Sequence, residues 1–397
     1  MTLRSLLLFV SPLTLLAASC GEAATGENAP PPHNDVSFKT EKIGQFDEPW
    51  AMAIDTTTGI ALVTEKKGAL KMRMPDGQVF SVGGVPEVDY GGQGGFGDVV
   101  FAPIAGGEKD GAGLAGRTVY LSWVEAGGGD TRGAVVGRAS LTCEGQTKCN
   151  LGDLKVIWRQ QPKVSGRGHF SHRLAFSPDG QYIFISSGER QKMEPAQDIS
   201  NNLGTIVRLL PDGTSAPGNP FADKPAPTNQ IWSYGHRNVL GLAFDDDGVL
   251  WDLEHGPAGG DEINLVEPGK NYGWPLVSDG DHYDGKPIPR HLTRPDLAAP
   301  AISWNPVIAP GDFIFYSGNL FPGWKGRALI ASFTVPGLVQ VHLKDGKGTE
   351  EARYPMDNRM REIAQAPDGS VWMLEDGPSD GSGALLRLTP TAPETTN

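Results

Sequence analysis

Cysteine is nearly absent: the 397-residue chain carries three, Cys20, Cys143 and Cys149. That number excludes a scaffold stapled by many disulfides and leaves too few thiolates for a cysteine-built zinc site. Helical periodicity is missing as well, since apolar residues do not recur at three- and four-residue spacing over any long stretch. Lys and Arg never cluster, and 34 of them stand against 47 Asp and Glu for a formal charge of −13. The chain therefore offers no phosphate track, and nucleic acid is not an expected partner. Beyond the N-terminal segment no run is long and apolar enough for a membrane helix. A phosphate-binding Gly-Lys loop, paired Cys/His zinc spacing and a strand-to-helix nucleophile elbow are absent too.

The chain begins "MTLRSLLLFVSPLTLLAASCGEAA". One arginine, an apolar run about a dozen residues long and a small-residue stretch read as an export signal over residues 1–20. Cys20 after "LAAS" resembles a lipoprotein cleavage box, with Ala17 where a larger aliphatic is usual. Lipidation at Cys20 would tether the protein to a membrane, and cleavage near Ala18 would free it; the expectation is an exported, periplasmic protein lipid-anchored at Cys20. Residues 21–37 are rich in Pro, Ala and Gly and read as a linker. Cys143 and Cys149 enclose "EGQTK", a polar turn between strand-like runs. In an oxidising compartment a short disulfide closing that hairpin is expected. The alternative, a C-x5-C metal pair, lacks two further ligands nearby.

What the chain has in abundance is glycine and proline, 53 and 32 residues, and one recurring phrase: an apolar strand, an acidic-Gly turn and a second strand. It occurs as "AMAIDTTTGIALVTEKKG" (51–68), "DVVFAP" with "RTVYLSWVE" (98–125), "RLAFSPDGQYIFISSGE" (173–189), "GLAFDDDGVLWDLEHG" (241–256) and "REIAQAPDGSVWMLEDG" (361–377). A divergent copy is "GDFIFYSGNLFPGWKGRALIASF" (311–333). Asp-Gly between alternating runs is a hairpin signal. Six copies at roughly 50–75-residue spacing indicate radial repetition with room for four strands per unit. The fold expected is all-β, a six-bladed β-propeller over residues 38–390, with 391–397 as a tail. In such a ring, loops at one end of the central channel converge, so polar residues flanking the hairpins meet there.

Several segments flank the hairpins in that way. "YGGQGGFGDVVF" (90–101) sets Gln93 among glycines that permit close approach to a flat ligand; a plain Gly-rich loop is the alternative. "IWSYGHRNVLGLAF" (231–244) places Arg237 and Asn238 before a core strand, offering a planar fork and an amide. "EHGPAGGDEINLVEPGKNYGWP" (254–275) combines freed backbone carbonyls with acids and suits Ca²⁺ better than zinc; a solvated acidic turn is the alternative. "NRMREIAQ" (358–365) puts Arg359 and Arg361 on one strand face, where they repel unless an anion or solvent lies between them. His169, in "SGRGHFSHRLAF" (165–176), is a general-base candidate.

The ordered series "GQGGFGDVVFAP", "GHFSHRLAFSPDG", "SYGHRNVLGLAF", "EHGPAGGDEINLVEPGKNYGWP" and "NRMREI" resembles the soluble, pyrroloquinoline-quinone (PQQ)-dependent glucose/aldose sugar dehydrogenases, through nearly the whole mature chain. The resemblance implies a six-bladed propeller that oxidises an aldose at C1 to the lactone, with PQQ as hydride acceptor, calcium bound, and an electron acceptor that the sequence does not identify. It makes His169 the base, Gln93 a residue near cofactor and substrate, and Arg237 with Asn238 the pair at the quinone oxygens, Arg237 polarising the carbonyl. Arg359 and Arg361 would hold PQQ carboxylates. Carbonyls of Gly256 and Pro257 would bind the Ca²⁺ at PQQ, and Glu262 and Tyr272 a second, structural Ca²⁺. The chain departs from the family at three points: Thr334 stands where glucose-oxidising members carry a lysine against PQQ, Gly168 replaces an acid before the base, and His172 replaces a small residue after it. Two rival readings are a non-catalytic binding propeller and a Ca²⁺-dependent propeller lactonase.

Overall fold

A computed structural model describes residues 36–104, 113–377 and 381–391. The signal segment, Cys20 and nearly all of the linker lie outside the described residues, as does the tail beyond Thr391. The described residues form 24 strands, β1–β24 in chain order, arranged as six four-stranded antiparallel sheets. The innermost strand of each sheet is β2 (Pro49–Ile54), β6 (Phe96–Phe101), β10 (Ser171–Phe176), β14 (Val239–Phe244), β18 (Pro310–Phe315) or β22 (Met360–Gln365). Each of these adjoins the next, and β22 adjoins β2, so the sheets are blades around one axis. Five blades use four consecutive strands. The sixth is completed by β1 (Phe38–Phe46), which pairs with β24 (Gly383–Pro390) and ties the two ends of the ring together.

The recurring phrase is the inner hairpin of each blade. Its second strand is buried at every residue in β3 (Ala61–Glu65), β11 (Ile183–Ser187), β15 (Leu250–Glu254) and β19 (Ala328–Ser332). A strand covered by a neighbouring blade on both faces reads as a continuous apolar run. The turns are built alike: Asp179, Asp245 and Asp368 each accept backbone N–H bonds two residues on, and Gly180, Gly248 and Gly369 take left-handed φ of 70°, 77° and 82°. Side-chain acceptor and permissive backbone are what an Asp-Gly turn requires. Outer strands such as β21 (Lys347–Pro355) alternate exposed and buried residues, which explains their weak apolar signal.

All six inner strands lose register with their partners near their start, at 49/51, 96/99, 171/174, 239/241, 310/312 and 360/362. Such bulges re-aim side chains. Here they surround Arg173, which contacts every blade. Its guanidinium is 2.7 Å from Glu362, 3.6 Å from Asp98 and 3.9 Å from Asp312. It donates to the carbonyls of Leu240 (2.6 Å) and Gly311 (3.0 Å) and lies 4.3 Å over the Trp50 ring. Burial pushes the Asp98 and Glu362 carboxyls up and brings Asp312 to about 7, so one cation faces three acids that together retain protons.

The disulfide joins Cys143 and Cys149, which are directly paired across β8 (Arg132–Glu144) and β9 (Lys148–Arg159), with Cα atoms 4.1 Å apart.

Two outcomes are expected. Arg173→Leu strands three buried acids and should cost about 3–5 kcal/mol in urea denaturation of the apoprotein, whereas Lys155→Ala, at an exposed site, should stay within about 0.5 kcal/mol. Cys143 and Cys149 should resist alkylation until reduced, and reduction should cost no more than about 2 kcal/mol because the closed loop is short.

Candidate active site

Loops at the end of the channel where the inner strands begin enclose a cavity of about 330 Å³. Gln93, His169, Arg237, Asn238, Arg359 and Arg361 all line it, brought together from residues 93 to 361. Four of the lining groups are cationic, the three arginines and Lys66. Trp50, Phe170 and Phe333 supply apolar wall.

His169 is held from two sides. Its backbone N–H donates to Gln93 Oε1 at 2.6 Å, and its Nδ1 is hydrogen-bonded to Glu189 Oε1. The other Glu189 oxygen accepts N–H bonds from Lys192 (2.5 Å) and Met193 (2.6 Å). Burial pushes the Glu189 carboxyl up, but the His169 bond and charge, the Met193 amide and the Arg237 charge together leave the value lowered. The His169 imidazole is lowered by burial first, opposed by the Glu189 bond and reinforced by the Arg237 charge. An ionised carboxylate thus faces a neutral imidazole whose Nδ1 carries the proton. With Gly168 in front of it, His169 takes its carboxylate from further along the chain. It sits twenty residues on, at the end of the hairpin phrase "ISSGE", where a glutamate closing an apolar strand was its signal. Gly188 beside it has no room for a side chain, since a Cβ there would lie 2.0 Å from the His169 carbonyl.

Two other histidines line the cavity. His172 is fully buried, stacks on Trp50 at 5.0 Å and bonds Ser122 Oγ at 2.8 Å through Nδ1. His255 bonds the Pro310 carbonyl at 2.6 Å. Burial pushes both down to about 3, so both stay neutral.

Arg237 donates to the His255 carbonyl (3.0 Å) and to Tyr283 Oη (3.2 Å), while its buried Nε has no hydrogen-bond partner. Backbone N–H groups of Arg237 and Asn238 both donate to Glu254 Oε2, at 2.7 and 3.1 Å, so one carboxylate sets this pair. Arg359 and Arg361 face the Phe333 ring at 4.6 and 4.4 Å and share Asp376, at 3.0 and 2.6 Å. The anion between the two cations is therefore a residue of the chain itself. Burial lowers Arg361. Thr334 is a correction: it is exposed and does not line the cavity. Its hydroxyl donates to the Val307 carbonyl at 2.9 Å, and the wall position belongs to its neighbour Phe333.

A second, smaller space of about 10 Å³ lies beneath Arg237, lined by Gly256, Pro257, Glu262, Tyr272, Glu254 and His291 among others. That volume suits a single water or ion. Glu254 and Glu262 are directly opposite on β15 and β16 (Asp261–Leu265), and Asp252 is opposite Asn264. Like charges placed so are destabilising without a counter-charge. The Asn264 amide donates to Asp252, Glu254 and Glu262, leaving buried Asp252 Oδ2 without a hydrogen-bond partner. Burial, then Glu254, raises Glu262 to about 8. Oxygen-rich, acidic and ion-sized, the space fits a hard divalent cation. The Tyr272 hydroxyl is engaged by Leu265 and Glu267, so its backbone carbonyl is the group it can offer.

The sequence model of the "Glucose / Sorbosone dehydrogenase" family matches residues 46–387. The chain is 35% identical over 354 residues to aldose sugar dehydrogenase YliI of Escherichia coli, covering 87% of this chain and 91% of that protein. The apo-form crystal structure of the soluble E. coli aldose sugar dehydrogenase superposes with a TM-score of 0.80 at 32% identity, over 89% of this chain and 100% of that one. The PQQ-bound aldose sugar dehydrogenase of Streptomyces coelicolor gives 0.69 at 25% identity, over 91% and 100%. With six blades, matching sequence along nearly all of the ring and a cation-lined cavity at its mouth, this chain belongs to the glucose/sorbosone dehydrogenase family.

Proposed function

We propose that this protein is an exported quinoprotein that oxidises an aldose at C1 to the lactone, with PQQ as hydride acceptor, calcium as metal and His169 as general base. The observation that carries the reading is the His169–Glu189 pair opening into a cavity lined by four cations. Of three imidazoles there, His172 and His255 are locked neutral, and His169 alone has a carboxylate to stabilise the charge it acquires.

PQQ, a flat tricarboxylate quinone, would supply the hydride-accepting carbon, with Ca²⁺ as Lewis acid at its carbonyl. Arg359 and Arg361 suit its carboxylates, Arg237 has a free Nε donor, and Gly256 and Pro257 border the ion-sized space below. Glu262 and the Tyr272 carbonyl are the ligands proposed for structural calcium. Glu189 holds the Nδ1 proton, so the Nε2 lone pair is the one that takes the sugar hydroxyl proton. Gln93, anchored through Oε1, keeps its amide N–H free to orient a hydroxyl. Phe333 and Trp50 limit water at the reacting face. Export and a lipid at Cys20 belong to the same proposal, as does transfer of electrons to a separate carrier.

Chelator-treated apoprotein should reduce a dye with an aldose only when PQQ and Ca²⁺ are both restored, and Mg²⁺ should substitute poorly. Turnover with NAD or a flavin alone would sink the assignment. His169→Gln should lower kcat roughly 10²–10⁴-fold while leaving PQQ affinity nearly unchanged. Arg361→Ala should instead weaken PQQ binding about 10–100-fold, more than Arg359→Ala, because Arg361 is the more buried of the two. Since a base must be unprotonated and burial lowers His169, the acid limb of kcat should fall below the ordinary imidazole value of about 6.5. A limb above 6.5 in steady-state rates would contradict this.

A further inference from the structure

Arg190 is wholly buried, yet none of its hydrogen-bond acceptors is a carboxylate. Its guanidinium donates to the carbonyls of Gly166 (2.6 Å), Gly168 (2.9 Å) and Arg132 (2.7 Å) and to Gln160 Oε1 (3.4 Å). It packs 3.7 Å over the Phe170 ring, and its backbone N–H donates to the His169 carbonyl at 3.2 Å. Every one of these contacts lands on the loop that carries His169 or on the strands behind it. Most buried arginines are matched by acids, because an unmatched interior charge is costly. A leucine or glutamine could fill space here; a guanidinium brings a charge and a five-donor fork.

The loop needs such a clamp. His169, Ser171 and His172 take left-handed φ of 48°, 56° and 58°, and Arg190 and Gln191 take 63° and 59°. Non-glycine residues held there cost on the order of 1 kcal/mol or more each and persist only where surroundings over-determine them. Two strained segments face each other, and Arg190, on one of them, is bonded to the loop that carries the other.

We propose that Arg190 is a positioning residue for His169: its guanidinium fixes the strained 166–169 loop through the Gly166 and Gly168 carbonyls and holds a cation, with no carboxylate among its acceptors, against the residues on either side of the imidazole. The idea rests on His169 being the base. The charged and titratable groups around that ring are Glu189, which favours the protonated form, Arg237 and Arg190, which oppose it, and His255, which is neutral. Glu189 alone would draw the ring toward imidazolium. Burial is the largest opposing effect, and Arg237 and then Arg190 add to it, so the base can be aligned by a carboxylate and still stay unprotonated.

The test compares Arg190→Gln and Arg190→Lys with wild type as PQQ- and Ca²⁺-loaded protein. Arg190→Gln should lower kcat at least tenfold, leave PQQ affinity within about twofold, and move both the acid limb of kcat and the NMR titration of the His169 ring upward. Arg190→Lys keeps the charge and loses the fork, so kcat should drop while the limb and titration stay put. An unmoved titration in folded Arg190→Gln overturns the proposal, and so does an equal shift in both variants. If Arg190→Gln does not fold, Arg190→Lys decides: reduced kcat at an unmoved limb supports the clamp, and wild-type kcat overturns it. The ring titration is read without turnover. Full activity in His169→Gln would thus overturn the base assignment separately from what Arg190 does to the ring.

Discussion

Arg173 touches all six blades, and the geometry above it depends on that convergence. A ring of sheets has no apolar core along its axis; each blade buries its faces against its neighbours and leaves the axis to whatever the inner strands present. Here they present one guanidinium, three acids, two carbonyls and the Trp50 ring. Removing any acid would leave the others better matched, whereas removing the cation leaves three buried acids without their shared partner. The arginine is therefore the fixed point, and the acids tolerate burial by keeping protons. The bulges at the start of each inner strand turn side chains inward at this level and free the next residues to form the cavity floor.

Above Arg173 the layers alternate in charge. Trp50 carries His172 stacked upon it and the Arg173 guanidinium against its ring. Protonating His172 would set a second cation beside Arg173, which is one reason, after burial, for its pKa of about 3. The floor is thus neutral aromatic material between an acidic cluster and a cationic cavity.

How much of this the sequence reveals follows from what each signal depends on. Inner hairpins were legible because both a buried strand and an Asp-Gly turn are local requirements; outer strands, half exposed, carry neither mark. Gln93, His169, Arg237, Asn238, Arg359 and Arg361 converge as the loop argument expects, since propeller topology fixes which end of each hairpin faces the mouth. Glu189, Glu254 and Asp376 went unread as partners because each works through a pairing set by three-dimensional packing: with His169, with two backbone amides, and with two arginines. Thr334 failed for a related reason. Beyond the end of β19 the chain turns: Phe333 takes the cavity wall, and the following Thr334 side chain goes to Val307 instead.

The acidic residues around the site divide by what they do to a neighbouring charge. Asp376 is shared by two arginines and is partly exposed, so a stronger anion arriving at the cavity can compete for the guanidiniums without stranding a buried acid. Glu254 is committed to backbone amides and cannot be displaced without releasing Arg237 and Asn238. Glu262 and Asp252 are met mainly by uncharged groups and imidazoles: Asn264 supplies one amide group to three carboxylates, His236 Nδ1 lies 3.3 Å from Asp252 Oδ2, and His291 acts on Glu262. A site with displaceable acid beside its cations, and weakly compensated acid beside an ion-sized space, is built to exchange part of its charge for ligands. Arg237 lines both the cavity and the ion-sized space and keeps its buried Nε unpartnered.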